Sequence, residues 1–177
     1  MLALAIVCWS FLPVDAAATA VAENEEANPL KIEWLTWEEA VQRMEKEPKK
    51  MFIDVYTEWC GWCKKMDKST FLDPKVVKAM NAEFYAVKLD AEQKADIVYN
   101  NTTLRFRADA GRRGIHELAY SLLDGKMSYP SFVYLDEKQH RITISPGYKT
   151  GDMMLKELVF IGEDHFKTTK FDQFTIE

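Results

Sequence analysis

The stretch FIDVYTEWCGWCKKM, residues 52–66, joins a strand pattern directly to a helical pattern, and two cysteines lie at the junction. Its first part is apolar and rich in β-favouring residues, which predicts a buried strand over 51–57. From Cys60 onward, Cys63 and Met66 follow at helical spacing with lysines on the opposite face, which predicts a helix. The cysteines are therefore expected where a buried strand ends and a helix begins.

The close cysteine pair is compatible with a metal site, a structural disulfide or a redox couple. A disulfide across so short a loop removes little entropy from the unfolded chain, which argues against a structural role. Zinc sites commonly use two ligand pairs, and only one pair is present here, although two thiolates can hold Cu(I). At a helix start, Cys60 should have a thiol pKa below about 8.5, and Cys63, one turn later, can attack a disulfide formed there. The pattern favours a dithiol exchange centre with an exposed Cys60 and a covered Cys63.

The rest of the chain predicts an α/β fold. Helices are predicted over about 37–46, from Pro74 and over 151–162, and Thr36 with Glu39 forms a capping box before the first of them. Further strands are predicted over 83–92, 131–137 and 141–145, the last two as a hairpin. Early strands separated by helices favour parallel pairing, and the hairpin adds antiparallel strands. The expected architecture is a central mixed β-sheet flanked by helices.

These segments resemble the thioredoxin superfamily, and Trp62 with the KKMDKSTF continuation is similar to exported thioredoxin-like proteins of the thiol:disulfide interchange type. Asp54, six residues before Cys60, matches the family's buried acid, and Lys88 matches the lysine beside that acid. Tyr129-Pro130 matches its cis-proline loop. The resemblance covers about residues 33–162 and implies a thioredoxin-like fold, with the family's helix before the proline loop over 115–123.

The resemblance also implies an activity, that of a thiol:disulfide oxidoreductase which needs no organic cofactor and no metal. Cys60 would form a mixed disulfide with a protein substrate, Cys63 would resolve it, and Asp54 beside Lys88 would carry the proton. The implied substrate-binding residues are Trp59, Gly61, Trp62, Tyr129 and Pro130. The partners would be protein dithiols or disulfides and a redox partner protein, and the direction of electron flow stays open. The alternative is a binding module of the same fold that handles Cu(I) or a client peptide without significant redox turnover.

The two ends and the middle of the chain carry additions to this pattern. Residues 1–22 are almost wholly apolar or small and predict an export signal, and residues 23–32 predict an acidic linker. The apolar run is short for a membrane span, so a cleaved signal is expected and the expected location is the bacterial periplasm. The alternative is a lipoprotein that is anchored to the membrane through Cys8. A single domain is predicted over 33–177, with an insert near 94–114 and a C-terminal extension over 163–177. A formal net charge of −5 argues against nucleic acid as a partner.

The insert has its own pattern. Leu104 and Phe106 alternate with Arg105 and Arg107 as in a half-exposed strand, which predicts an added strand or flap, and Arg112-Arg113 predicts a solvated turn. Such an insert either shapes a substrate surface near the cysteines or covers an edge of the sheet.

Overall fold

The structure, a computed structural model, describes residues 31–176. The predicted export signal over 1–22, with Cys8, and most of the predicted linker lie outside the described residues. Within residues 31–176, no helix combines the length and the apolar character needed to cross a membrane.

A five-stranded mixed sheet forms the centre of the fold. Its spatial order is β1 (Trp34–Leu35), β3 (Phe84–Asp90), β2 (Lys50–Tyr56), β8 (Ser131–Leu135) and β9 (Arg141–Pro146). The first three strands are parallel to one another, and β8 and β9 are antiparallel to their neighbours. The predicted mixed sheet is thus confirmed, and β1 is a short edge strand that the sequence pattern did not predict.

Five α-helices pack on the two faces of this sheet within the described part of the chain. They are α1 (Trp37–Lys46), α2 (Gly61–Asp67), α3 (Pro74–Glu83), α4 (Glu117–Leu122) and α5 (Gly151–Gly162). The predicted capping box is present at α1, where Thr36 Oγ1 accepts from the Glu39 amide at 3.2 Å and Glu39 Oε2 accepts from the Thr36 amide at 2.8 Å. Such reciprocal bonds satisfy amides that the helix itself leaves without partners.

Strand β2 divides its side chains between two apolar layers. Met51, Ile53 and Val55 belong to the layer with α1 and α4, whereas Phe52 belongs to the layer with α2, α3 and α5. Because side chains alternate along a strand, Asp54 lies on the same face as Phe52. The buried acid is therefore directed to the side of the sheet that helix α2 covers.

The insert forms two hairpins, so the strand predicted through 104–107 is present with its alternating exposure but is divided into two at Arg105. Strand β4 (Ile97–Tyr99) pairs with β5 (Thr102–Leu104), and β6 (Phe106–Arg107) pairs with β7 (Ile115–His116). Arg105 separates β5 from β6 because Glu117 holds both of its backbone groups. The Arg105 amide donates to Glu117 Oε2 at 2.9 Å, and the Glu117 amide donates to the Arg105 carbonyl at 2.9 Å.

Helix α4 begins at Glu117 and not at the predicted residue 115. His116 is fully buried and is the N-cap, and its Nδ1 accepts from the Leu118 amide at 3.2 Å. Its Nε2 lies 3.2 Å from the carbonyl oxygen of Ala95, which ties the helix start to the insert. Residues 115 and 116 are thus committed to strand β7 before the helix starts.

Candidate active site

Cys60 and Cys63 form a disulfide at the start of α2. The S–S distance is 2.04 Å, and the Cα atoms are 5.3 Å apart. The Cys60 amide donates to the Thr57 carbonyl at 3.0 Å, which closes the turn between β2 and α2. Cys60 is the N-cap of this helix, and its Sγ accepts from the Cys63 amide at 3.1 Å. The same amide is placed to stabilise negative charge on Cys60 sulfur when the bond is reduced.

The prediction that Cys60 is exposed is wrong for this oxidised form. Cys60 is 4% exposed and Cys63 is 2% exposed. Two large side chains flank the cysteines and are far more exposed: Trp59 is 53% exposed and Trp62 is 56% exposed. The two tryptophans, not the cysteines, therefore present most of the surface at this end of the molecule.

Residue Gly61 leaves open space between these tryptophans. A Cβ added at this glycine would meet no heavy atom within 4 Å. The centroid of the Trp62 ring lies 5.1 Å from that of the Tyr148 ring and 5.0 Å from Lys65 Nζ. The surface at the helix start is thus aromatic and unobstructed.

Asp54 and Lys88 are adjacent across the parallel strands β2 and β3. Lys88 Nζ donates to Asp54 Oδ2 at 2.7 Å, and the two residues are register partners. Asp54 is 1% exposed, and within residues 31–176 its Oδ1 atom has no hydrogen-bond partner. Burial raises the pKa of Asp54 to about 6, although the Lys88 charge opposes the rise.

Lys88 also pairs with Asp67, a residue that the sequence did not single out. Lys88 Nζ donates to Asp67 Oδ1, so the ammonium group joins strand β2 to helix α2. Burial acts to lower the pKa of Lys88, but the two carboxylates outweigh it and the pKa is raised. One signal was available, because Asp67 follows Cys63 by four residues and such residues share a helix face.

The Tyr129-Pro130 peptide bond is cis, as the resemblance implies. Pro130 is buried at the start of β8, and its carbonyl accepts from the Gly147 amide at 2.8 Å. The Tyr129 ring packs edge-on to the Trp59 ring at 5.8 Å between centroids. The tertiary structure therefore brings the proline loop beside the residue that precedes Cys60.

A groove of about 690 Å³ opens next to Trp59 and Tyr129. Its other wall is the turn of the second hairpin, residues 111–114, so the predicted turn at Arg112-Arg113 lines a groove near the cysteines. The guanidinium carbon of Arg113 lies 5.7 Å from the centroid of the Trp59 ring, and Trp59 Nε1 donates to Glu92 Oε1 at 2.8 Å. The sequence patterns missed Glu92 and gave the two arginines no role.

Between residues 31 and 176, no three His, Cys, Asp or Glu side chains are grouped closely enough to hold one metal ion together. The two cysteines are joined by a disulfide, and Asp54 and Asp67 are each paired with Lys88.

Solved structures with this fold include a thioredoxin from Thermus thermophilus, with a TM-score of 0.55 and 16% identity. The match covers 83% of this chain and 99% of that one. A thioredoxin-fold protein from Helicobacter pylori matches with a TM-score of 0.54 and 19% identity, over 71% of this chain and 76% of that one. At such identities the likeness shows the fold alone, and the fold is that of thioredoxin.

Curated relatives match a shorter part of the chain. The uncharacterized protein B0495.5 of Caenorhabditis elegans is 34% identical over 67 residues, which is 37% of this chain and 9% of that protein. The thiol:disulfide interchange protein DsbD of Colwellia psychrerythraea is 30% identical over 71 residues, which is 38% of this chain and 12% of that protein. The match thus spans about a tenth of the length of these relatives.

A family model extends over most of the chain. The model Thioredox_DsbH, described as a protein of unknown function, DUF255, matches residues 17–150. That range contains the cysteine pair, Asp54, Lys88, the insert and the cis-proline loop. With its thioredoxin fold and its Cys60–Cys63 pair, which fit a redox function, the chain belongs to the Thioredox_DsbH family.

Proposed function

We propose that this protein is an exported thiol:disulfide oxidoreductase that exchanges its Cys60–Cys63 pair with protein substrates. The observation that carries the proposal is the disulfide at the start of α2, with the Cys63 amide 3.1 Å from Cys60 Sγ. An amide that donates to a sulfur stabilises the thiolate over the thiol, and the thiolate is the nucleophile in disulfide exchange. Cys60 is accordingly the attacking residue and Cys63 the resolving one.

In the reducing direction, the Cys60 thiolate attacks one sulfur of a substrate disulfide. The substrate S–S bond breaks and the attacked sulfur forms a mixed disulfide with Cys60. The other substrate sulfur leaves as a thiolate that takes a proton. Cys63 then loses its proton and attacks Cys60 Sγ, which breaks the mixed bond and releases the second substrate sulfur. The substrate gains two electrons, the cysteine pair loses two, and the reverse sequence oxidises a substrate dithiol.

Asp54 is the proposed proton carrier for Cys63. Its pKa of about 6 leaves it mostly ionised at pH 7, yet close enough to neutrality to accept a proton and return it. Its position on the sheet face beneath α2 supports this role, and a water molecule would complete the path to the sulfur. Lys88 holds one carboxylate oxygen, Oδ2, and leaves Oδ1 available.

Substrate contacts are proposed for Trp59, Gly61 and Trp62 on one side of the pair and for Tyr129 and Pro130 on the other. The exposed indoles offer apolar contact area, and the space above Gly61 lets a partner chain approach. The backbone before the cis-proline, which belongs to Tyr129, is expected to pair with an extended substrate segment.

Location and partners are proposed from the bacterial relative and from the N-terminal sequence. The similarity to a thiol:disulfide interchange protein supports a periplasmic site and a protein redox partner. Expression of the full chain in a Gram-negative host tests the location. A periplasmic product whose N-terminus lies near residue 23 supports cleavage, a membrane-bound product that is released by Cys8→Ala supports the lipid anchor, and cytoplasmic retention contradicts export.

Trapping tests the mechanism directly. The Cys63→Ala variant should accumulate disulfide-linked adducts through Cys60 that disappear on treatment with dithiothreitol, and the Cys60→Ala variant, as the matched control, should accumulate far fewer. Absence of adducts in Cys63→Ala, while Cys60 still reacts with iodoacetamide, would contradict the proposal. Tight 1:1 binding of Cu(I) by the reduced protein, with negligible reduction of insulin disulfides, would favour the binding-module alternative.

A further inference from the structure

An open groove lies between Trp59, Tyr129 and the turn 111–114, and we call it the arginine groove. We propose that this groove selects substrate proteins that carry an acidic residue close to the reactive cysteine. Arg112 and Arg113 would bind that carboxylate. This inference rests on the proposed function and names the class of protein on which it acts.

The first support is the position of the groove. It is bounded by Trp59, the residue before Cys60, and by Tyr129, the residue before the cis-proline. A substrate segment that reaches the cysteines along the proline loop therefore runs into it. Its volume of about 690 Å³ falls within the range of pockets that hold a drug-sized ligand, so it has room for side chains of a bound segment.

The second support is that the arginine-bearing wall is held in place. Pairing of β6 with β7 sets both ends of the turn, and Arg107 at its base binds Asp109 Oδ2 at 3.0 Å and Glu117 Oε1 at 3.4 Å. Gly114 has a φ of +79° and lies so close to the Phe106 ring that an added Cβ would come within 2.1 Å of it. A wall ordered before binding reduces the entropy that an incoming segment must lose.

The third support is charge. Within the described residues, Arg43, Arg105, Arg107 and Arg141 each have a carboxylate within 4 Å, whereas Arg112 and Arg113 have none. The carboxylate among the lining residues is that of Glu92, which already accepts from Trp59 Nε1 at 2.8 Å. Among the lining residues two arginines thus face one carboxylate, on a chain whose formal net charge is −5.

These features suit a carboxylate on a polypeptide. A guanidinium group binds a carboxylate through two parallel hydrogen bonds, and complementary charge favours the matching partner and raises its association rate. The aromatic rings of Trp59 and Tyr129 supply the apolar contacts that the rest of an extended segment requires. The expected occupant is a segment with Asp or Glu within a few residues of its disulfide.

The test compares two synthetic peptides that each contain one disulfide and differ only in Glu or Gln beside a cysteine. Exchange with the reduced full-length protein is followed by stopped-flow tryptophan fluorescence. We expect the Glu peptide to react roughly two- to fivefold faster at low salt. We expect 0.5 M NaCl to reduce this preference, because exposed charges are screened.

Three variants assign the preference to the groove. The double variant Arg112→Gln/Arg113→Gln should bring the ratio of the two rates close to one. Glu92→Gln keeps an acceptor for Trp59 Nε1 and removes a negative charge, so it should increase the ratio. Lys138→Gln removes an exposed cation from the turn between β8 and β9, away from the groove lining, and should leave the ratio at the wild-type value.

Three results would contradict the inference, and each has a different consequence for the proposed function. If the Gln peptide reacts and the Glu peptide reacts no faster, the groove proposal is wrong and the proposed function stands. If neither peptide reacts, the proposed function fails and this inference fails with it. If the double variant loses reactivity towards oxidised glutathione as strongly as towards the Glu peptide, the groove binds small carboxylates and the inference of a protein substrate is overturned.

Discussion

The Lys88 ammonium nitrogen lies 2.7 Å from Asp54 Oδ2 and pairs as well with Asp67 on the helix that contains Cys63. One cation therefore serves two acids, one of them sealed from solvent and the other exposed. The buried acid retains a raised pKa in spite of its partner, because loss of hydration costs the carboxylate more than Lys88 returns. The following predictions test what this arrangement does to stability and to rate.

Replacement of Asp54 by Asn should stabilise the oxidised protein at pH 8. The pKa is raised from 3.8 to about 6, so the folded state binds the proton more tightly than the unfolded state. The associated stability is present below pH 4 and is lost as the pH rises through about 6. The gain in the free energy of unfolding should be about 3 kcal/mol at most, measured by urea denaturation at pH 5 and pH 8. A variant that is less stable than wild type at pH 8 would contradict the prediction.

The same variant should slow the resolving step. Without the carboxylate, the Cys63 thiol has no buried base, and the mixed disulfide at Cys60 should persist at pH 7 at least tenfold longer. Rapid acid quench and mass spectrometry of the adduct measure its lifetime. In the wild-type protein the rate should rise with pH through about 6, where Asp54 ionises, and that step should be missing from the variant. An unchanged lifetime would remove Asp54 from the mechanism.

Asp67→Asn should lower the pKa of Asp54. The Asp67 charge repels that of Asp54, so its removal favours the ionised form of the buried acid and frees Lys88 to interact with it alone. A shift of roughly half a pH unit is expected in the carbon-13 titration of the Asp54 carboxyl. Asp152→Asn on α5 is the matched control and should leave the titration unchanged. An upward shift would show that Asp67 supports the ionised acid.

Gly114→Ala should disrupt the second hairpin. The substitution puts a Cβ against the Phe106 ring at a backbone conformation that side chains rarely adopt, which should cost about 2 kcal/mol or more. Amides over 106–116 should exchange with deuterium faster, and the preference for acidic peptides should weaken. Gly61→Ala, where nothing lies within 4 Å, is the stability control and should show little loss. Equal stability of both variants would mean that the turn adjusts freely.

Much of the fold could be predicted because its signals are local. The capping box of Thr36 and Glu39, the Pro74 at a helix start and the apolar, β-favouring run of strand β2 each depend on residues within a few positions of one another, and the structure confirms the elements that they predict. Boundaries failed where a distant group intervened. Glu117 holds both backbone groups of Arg105, 12 residues away, and so divides one predicted strand into two.

By itself, the sequence of residues 52–66 determined that two cysteines stand where a buried strand meets a helix and that an acid lies within that strand. Only the tertiary structure decided what surrounds them: Asp67 beside Lys88, two exposed tryptophans beside oxidised cysteines that are nearly buried, and two arginines that line a groove with Trp59. The physical reason is the separation along the chain of the residues that interact. Strand and helix patterns arise from neighbours along the chain, whereas burial and charge pairing at the site depend on residues that only the packing of the sheet, the helix and the insert brings together.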